Sequence, residues 1–121
     1  MDLDLSTSEL GGRAVVSVDG EVDLETAPQL GDHALNALRT VSPHLVLDLT
    51  KVSFMDSTGL KVLLTIQRRA ELAGGSFAVA GSSRSVRKVL ALTGLDQTIR
   101  LCDSVADVEE IAPASGARGP A

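Results

Sequence analysis

Asp56-Ser57-Thr58-Gly59 is a small polar knuckle set between apolar runs, Val52-Ser53-Phe54-Met55 before it and Leu60-Lys61-Val62-Leu63-Leu64 after it. A hydroxyl there lies at the first turn of a helix, where backbone N–H groups have no partner within the helix. That place suits a Ser whose role is to carry or lack a phosphate, since helix N-termini favour anions. The same residues also fit a plainer role, with Asp56 or Ser57 serving only as helix N-cap. Composition alone leaves both open.

Catalytic readings of the knuckle fail on spacing. A nucleophile elbow needs Gly two residues before the Ser, and Met55 stands there. The only available bases, His33 and His44, fall in a helix and at a strand entry, and each reads as a surface residue. Gly59 is followed by Leu60-Lys61, not by the pattern of a phosphate-cradling loop. A receiver-type phospho-aspartate would need an acidic pair after the first strand, which Val16-Ser17-Val18 lacks. Asp48, inside an apolar run, reads as hydrogen-bonded at the end of a sheet. No catalytic residue, metal or cofactor is expected.

The 121 residues suffice for one domain with a core. With no Trp or Tyr and two Phe, the core must be aliphatic, and there is no aromatic platform for stacking bases. No apolar run approaches the ~20 residues needed to span a bilayer. The N-terminus has no basic signal region, and the single Cys102 excludes an internal disulfide. These features point to the cytoplasm, with no direct nucleic-acid or membrane partner. The net charge of −5 is uneven: eight acidic residues face Arg13 alone up to Asp32, whereas Lys51 to Arg100 is mostly basic. Such a chain could offer a polarised surface to a partner protein; for most of these charges the simpler reading is a solvated face.

The elements follow in order. Leu3–Leu5 and Ala14–Val18 read as strands of a hairpin turned at Gly11-Gly12. Asp19–Glu25 reads as a loop dense in carboxylates. Thr26 can cap a helix bearing Leu30, Ala34, Leu35, Ala37 and Leu38, with Pro28 in its first turn. Leu45–Leu49 is a strand covered on both faces. The helix after Ser57 turns Leu60, Leu63, Leu64, Ile66, Ala70 and Ala73 inward and ends at Gly74-Gly75. Phe77–Ala80 is a strand. Ser82 or Ser83 caps a helix with Val86, Val89, Leu90 and Leu92, stopped by Gly94. Ile99–Cys102 is the last strand, and Asp103 or Ser104 opens a helix through Val105, Val108 and Ile111. Right-handed crossovers make the later strands parallel. The result is one α/β domain over 1–112, a mixed sheet of four to five strands with about four helices, and a disordered tail over 113–121.

Phe54-Met55-Asp56-Ser57-Thr58-Gly59-Leu60, preceded by Leu45-Val46-Leu47-Asp48-Leu49, resembles the signature of the anti-sigma factor antagonists, stand-alone members of the STAS domain family. Asp19-Gly20-Glu21-Val22-Asp23 is similar to that family's Gly-Glu-Leu/Val-Asp loop. Gly74-Gly75, the Ser-x-x-Val-x-x-x-Leu helix and Thr93-Gly94-Leu95 extend the likeness over residues 3 to 111. The resemblance implies a regulatory switch, not an enzyme. Phosphorylation would fall on Ser57, with Glu21, Asp23, Asp56, Ser57, Thr58, Gly59 and Lys61 meeting the partner. The implied partners are an anti-sigma factor with a histidine-kinase-like ATPase fold acting as serine kinase, and a metal-dependent serine phosphatase. The implied state is a monomer or weak dimer; the competing reading is a scaffold subunit of a larger stress-signalling assembly. Lys61 departs from the family, many of whose members have a small Gly there. Four residues from Ser57 on a helix, it shares a face with it; it could partly neutralise a phosphate or alter which kinase is accepted.

Overall fold

The computed structural model describes residues 2–108. Gly11 and Gly12 have φ of 61° and 81°, the doubly positive pair that a two-residue hairpin turn requires. They join β1 (Asp4–Leu10) to β2 (Arg13–Val22). There follow α1 (Ala27–Thr40), β3 (His44–Met55), α2 (Ser57–Leu72), β4 (Ser76–Ala80), α3 (Arg84–Leu92), a 3-10 turn (Leu95–Gln97), β5 (Arg100–Cys102) and α4 (Val105–Val108). The sheet order is β1-β2-β3-β4-β5, antiparallel at β1–β2 and parallel thereafter. This is the expected α/β class: a mixed sheet opened by a hairpin, with four α-helices among the described residues. Ile111 and the expected tail over 113–121 lie outside those residues.

Side chains alternate across the sheet. Leu45, Leu47 and Leu49 join the main core with Leu30 and Ala34 of α1, Leu63 and Ile66 of α2, and Val86 and Leu90 of α3. Val46 belongs to a smaller cluster with Val15, Ala80, Cys102 and Val108, which α4 completes. The β3 run is thus apolar because it is covered on both faces.

Three strands are longer than their apolar patterns, β1 running on past the expected Leu5 to Leu10. β3 continues past Leu49 to Met55, and β2 continues through Asp19–Val22, so most of the expected carboxylate loop is strand. The two extensions pair with each other, Asp19 with Lys51, Glu21 with Phe54 and Val22 with Met55, after two register shifts. Ladder bonds there do not require apolar side chains, so Thr50, Lys51 and Ser53 break the pattern without ending the strand. The loop that remains is Asp23–Thr26.

On α2 the buried stripe is Gly59, Leu60, Leu63, Ile66 and Ala70. Leu64 and Ala73, expected inside, are exposed, because both lie just past the edge of that stripe. Leu92, at the end of α3, is also exposed. Gly75 serves close approach: a Cβ there would lie 1.9 Å from the Pro43 carbonyl oxygen. The adjacent Gly74, with φ of 80°, makes the turn.

Neighbouring leucines on α2 test this placement. Leu63→Ala should cost roughly 2–5 kcal/mol of unfolding free energy in urea, as core truncations do. Leu64→Ala, at 39% exposure, should cost less than about 1 kcal/mol, as surface changes do.

Candidate functional site

The first turn of α2 is fastened to the ends of two strands. Asp56 is its N-cap, in extended conformation (φ −102°, ψ −170°), and one carboxylate oxygen accepts from the Thr58 amide at 2.9 Å and the Gly59 amide at 3.3 Å. The Asp56 amide donates to the Val22 carbonyl at the end of β2, 3.1 Å away. Gly59 packs where nothing larger fits: a Cβ would come within 2.5 Å of Met55 and 2.8 Å of Val22. Its conformation is ordinary, so Gly is required by space rather than by φ. Of the two possible caps, Asp56 takes the role, and Ser57 becomes the first helical residue.

Ser57 is exposed, and its hydroxyl has no hydrogen-bond partner among the described residues. Lys61, one turn on, is exposed as well. Thr58 is half-buried with its amide engaged, and Gly59 is buried. Residues 56 to 61 therefore form one surface whose accessible hydroxyl is that of Ser57.

Glu21 reaches the same end of the sheet by register with Phe54, and its side chain is exposed. Asp23 is turned instead to its own loop. Its carboxylate accepts from the Glu25 and Thr26 amides, both at 3.0 Å, and from the Thr26 hydroxyl at 3.1 Å. The Thr26 hydroxyl accepts from the Asp23 amide at 2.9 Å and lies 2.7 Å from the Glu21 carbonyl, within donating distance. Thr26 occupies the N-cap position of α1, yet its hydroxyl makes none of the expected cap bonds to that helix. The Thr26 amide, above all, holds the Asp23 carboxyl below its ordinary range; partial burial opposes the shift, and the Thr26 hydroxyl and Glu25 amide reinforce it.

Two side chains that the pattern did not single out belong to this end. Phe54, opposite Glu21, is 47% exposed, and Leu24, beside Asp23, is 76% exposed. An apolar residue two places before a helix cap was the available signal, but strand alternation hid it. Elsewhere, Asp48 lies in the middle of β3 and accepts from the Thr50 amide at 3.0 Å, at the point where pairing with β4 stops. His33 meets the Thr7 hydroxyl and His44 that of Ser76, both far in sequence from the knuckle.

A STAS domain model matches residues 4–108. The chain belongs to the STAS domain family. This STAS domain is 34% identical over 105 residues to the anti-sigma-F factor antagonist RsfB of Mycobacterium tuberculosis, covering 85% of this chain and 84% of that one. The crystal structure of an anti-sigma factor antagonist from Mycobacterium paratuberculosis superposes with a TM-score of 0.79 at 31% identity, covering 90% of this chain and 92% of that one. SpoIIAA shares the fold. Its unphosphorylated form gives a TM-score of 0.74 at 21% identity over 89% of this chain and 96% of that one. The phosphorylated form from Bacillus gives 0.68 at 20%, over 89% and 99%. Members bearing the name anti-sigma factor antagonist are regulatory binding proteins, not enzymes. No helix among the described residues is long and apolar enough to cross a membrane.

The caps make two predictions for this STAS domain. Asp56→Ala should lower stability by about 1 kcal/mol in urea, the usual cost of losing an N-cap. A carboxyl held below its ordinary value stabilises the fold above its unfolded-state pKa, and that stability is lost as pH falls through the lower folded-state value. Asp23→Asn should therefore flatten the acid limb of a melting-temperature profile.

Proposed function

We propose that this STAS domain is a phosphorylation-switched anti-sigma factor antagonist acting in the cytoplasm. The unphosphorylated form binds an anti-sigma factor with a histidine-kinase-like ATPase fold and so releases a sigma factor for transcription. That anti-sigma factor acts as the serine kinase. Phosphorylation at Ser57 blocks binding, and a metal-dependent serine phosphatase restores the binding form. The observation that carries this reading is the exposed, unpartnered Ser57 hydroxyl on a first helical turn whose next two amides are already taken by Asp56.

That cap decides how a phosphate would act. Helix N-termini welcome anions through free amides and the macrodipole. Here the Thr58 and Gly59 amides are engaged, so an added dianion stays on the surface beside the Asp56 carboxylate. Lys61, on the same face, offsets part of that charge, by about 0.2–0.5 kcal/mol for an exposed helical pair. A misplaced charge at a docked interface costs several kcal/mol, and ~1.4 kcal/mol already weakens binding tenfold. The interfacial cost is the larger, so the modification acts on docking and leaves the fold alone. Glu21, Phe54 and Leu24 supply the rest of the docking surface, and Asp23 shapes its loop.

Affinities of native, Ser57→Ala and Ser57→Asp forms for the cognate anti-sigma factor test the reading. Ser57→Ala should bind like the native chain, and Ser57→Asp at least tenfold more weakly with an unchanged circular dichroism spectrum. Equal binding by all three would remove the mechanism.

A further inference from the structure

β1 is an open edge whose hydrogen-bonding pattern can be worked out residue by residue. A two-residue turn makes its flanking residues, Leu10 and Arg13, a hydrogen-bonded pair. Pairing then runs without a register shift through Ser8–Val15, Ser6–Ser17 and Asp4–Asp19. The even-numbered residues of β1 therefore bond to β2, and the backbone N–H and C=O groups of Leu5, Thr7 and Glu9 point outward. Among the described residues nothing covers them. Only the Leu3 amide, just before the strand, is covered, by the Gln29 side chain of α1. The edge has no Pro and no bulge, two of the usual devices that stop a strand from pairing with another chain, and its two charges are Asp4 and Glu9. The opposite edge, β5, is three residues long.

We propose that β1 pairs antiparallel with β1 of a second copy of this chain, about a two-fold axis at Thr7, to give a continuous ten-stranded sheet. In that register Thr7 faces Thr7, Leu5 faces Glu9 and Asp4 faces Leu10, so no two charges of like sign stand opposite. The three outward residues of each copy fall on hydrogen-bonded pairs, and Ser6 faces Ser8 on the close, non-bonded pairs. Threonine opposite threonine is a favourable cross-strand pair. Each copy carries a net charge of −5, so the association is weak and strengthens with salt, which screens the repulsion between copies. β1 lies two strands from β3, which leads into Ser57, so the dimer seam is set apart from the Ser57 turn of each copy.

The register supplies its own test. Ser6→Cys in one sample, labelled with nitrogen-15, is mixed with unlabelled Ser8→Cys under mild oxidation and read by intact mass. The native Cys102 is buried, and burial pushes its thiol up, so it does not compete. The mixed disulfide should form in clear excess over both like-with-like species, since only Ser6 and Ser8 approach across the axis. Sedimentation equilibrium of the native chain should show a dimer at high concentration that grows with salt. Thr7→Pro should abolish it, because that change removes an outward N–H and spares the ladder to β2; its far-UV spectrum should remain native. A random distribution of disulfides, or a native chain that stays monomeric at millimolar concentration in high salt, overturns the proposal. So does protection of the outward amides by a peptide of another protein while this chain stays monomeric.

Discussion

The carboxylate of Asp56 holds the first turn of α2 in place, and most of what distinguishes this surface depends on it. It closes two amides that would otherwise face water, while the Asp56 backbone anchors to Val22 at the end of β2. Gly59 lets the same turn settle against Met55 and Val22 at a distance no other residue permits. Ser57 is thus presented by a turn with little freedom of its own. Of the two side chains between the cap and the packed glycine, Ser57 faces solvent and Thr58 is half-buried.

A rigid display changes what a small modification can do. Where a segment is loose, an added charge can reorganise it, and the signal then travels as a change of shape. Here hydrogen bonds and close packing beneath Ser57 fix the turn, and the Asp56 cap engages the Thr58 and Gly59 amides. In the proposed switch, a phosphate on Ser57 stays outside, between Asp56 and Lys61. The acidic Glu21 and the exposed Phe54 and Leu24 share that end of the sheet, giving a surface both apolar and charged. The proposed function has a partner read this surface and a single dianion spoil it.

Much of this was legible in the sequence because local chemistry agreed with the fold. Gly11-Gly12 set the hairpin, the apolar spacing of α1 and α2 matched their buried faces, and the knuckle stood where a helix had to begin. What escaped was set by pairing at a distance. The far halves of β2 and β3 are strand because they bond to each other through a shifted register, which no alternation of side chains records. Thr26 looked like a simple cap, but its hydroxyl is drawn back to Asp23 and Glu21 by a loop tighter than the pattern implied. Leu64 and Ala73 sit one step beyond a stripe whose width depends on how the neighbouring elements pack. Phe54 is exposed on the part of β3 that runs on beyond Asp48, the last residue paired with β4.

The most direct measurement compares the amide nitrogen–proton spectrum of one sample before and after enzymatic phosphorylation of Ser57. Shifts confined to residues 54 to 62 and the facing Glu21–Asp23, with every core amide unmoved, are the result a rigid display requires. Widespread shifts through β3, β4 and the buried face of α2 would show that the phosphate remodels the domain, and would contradict it.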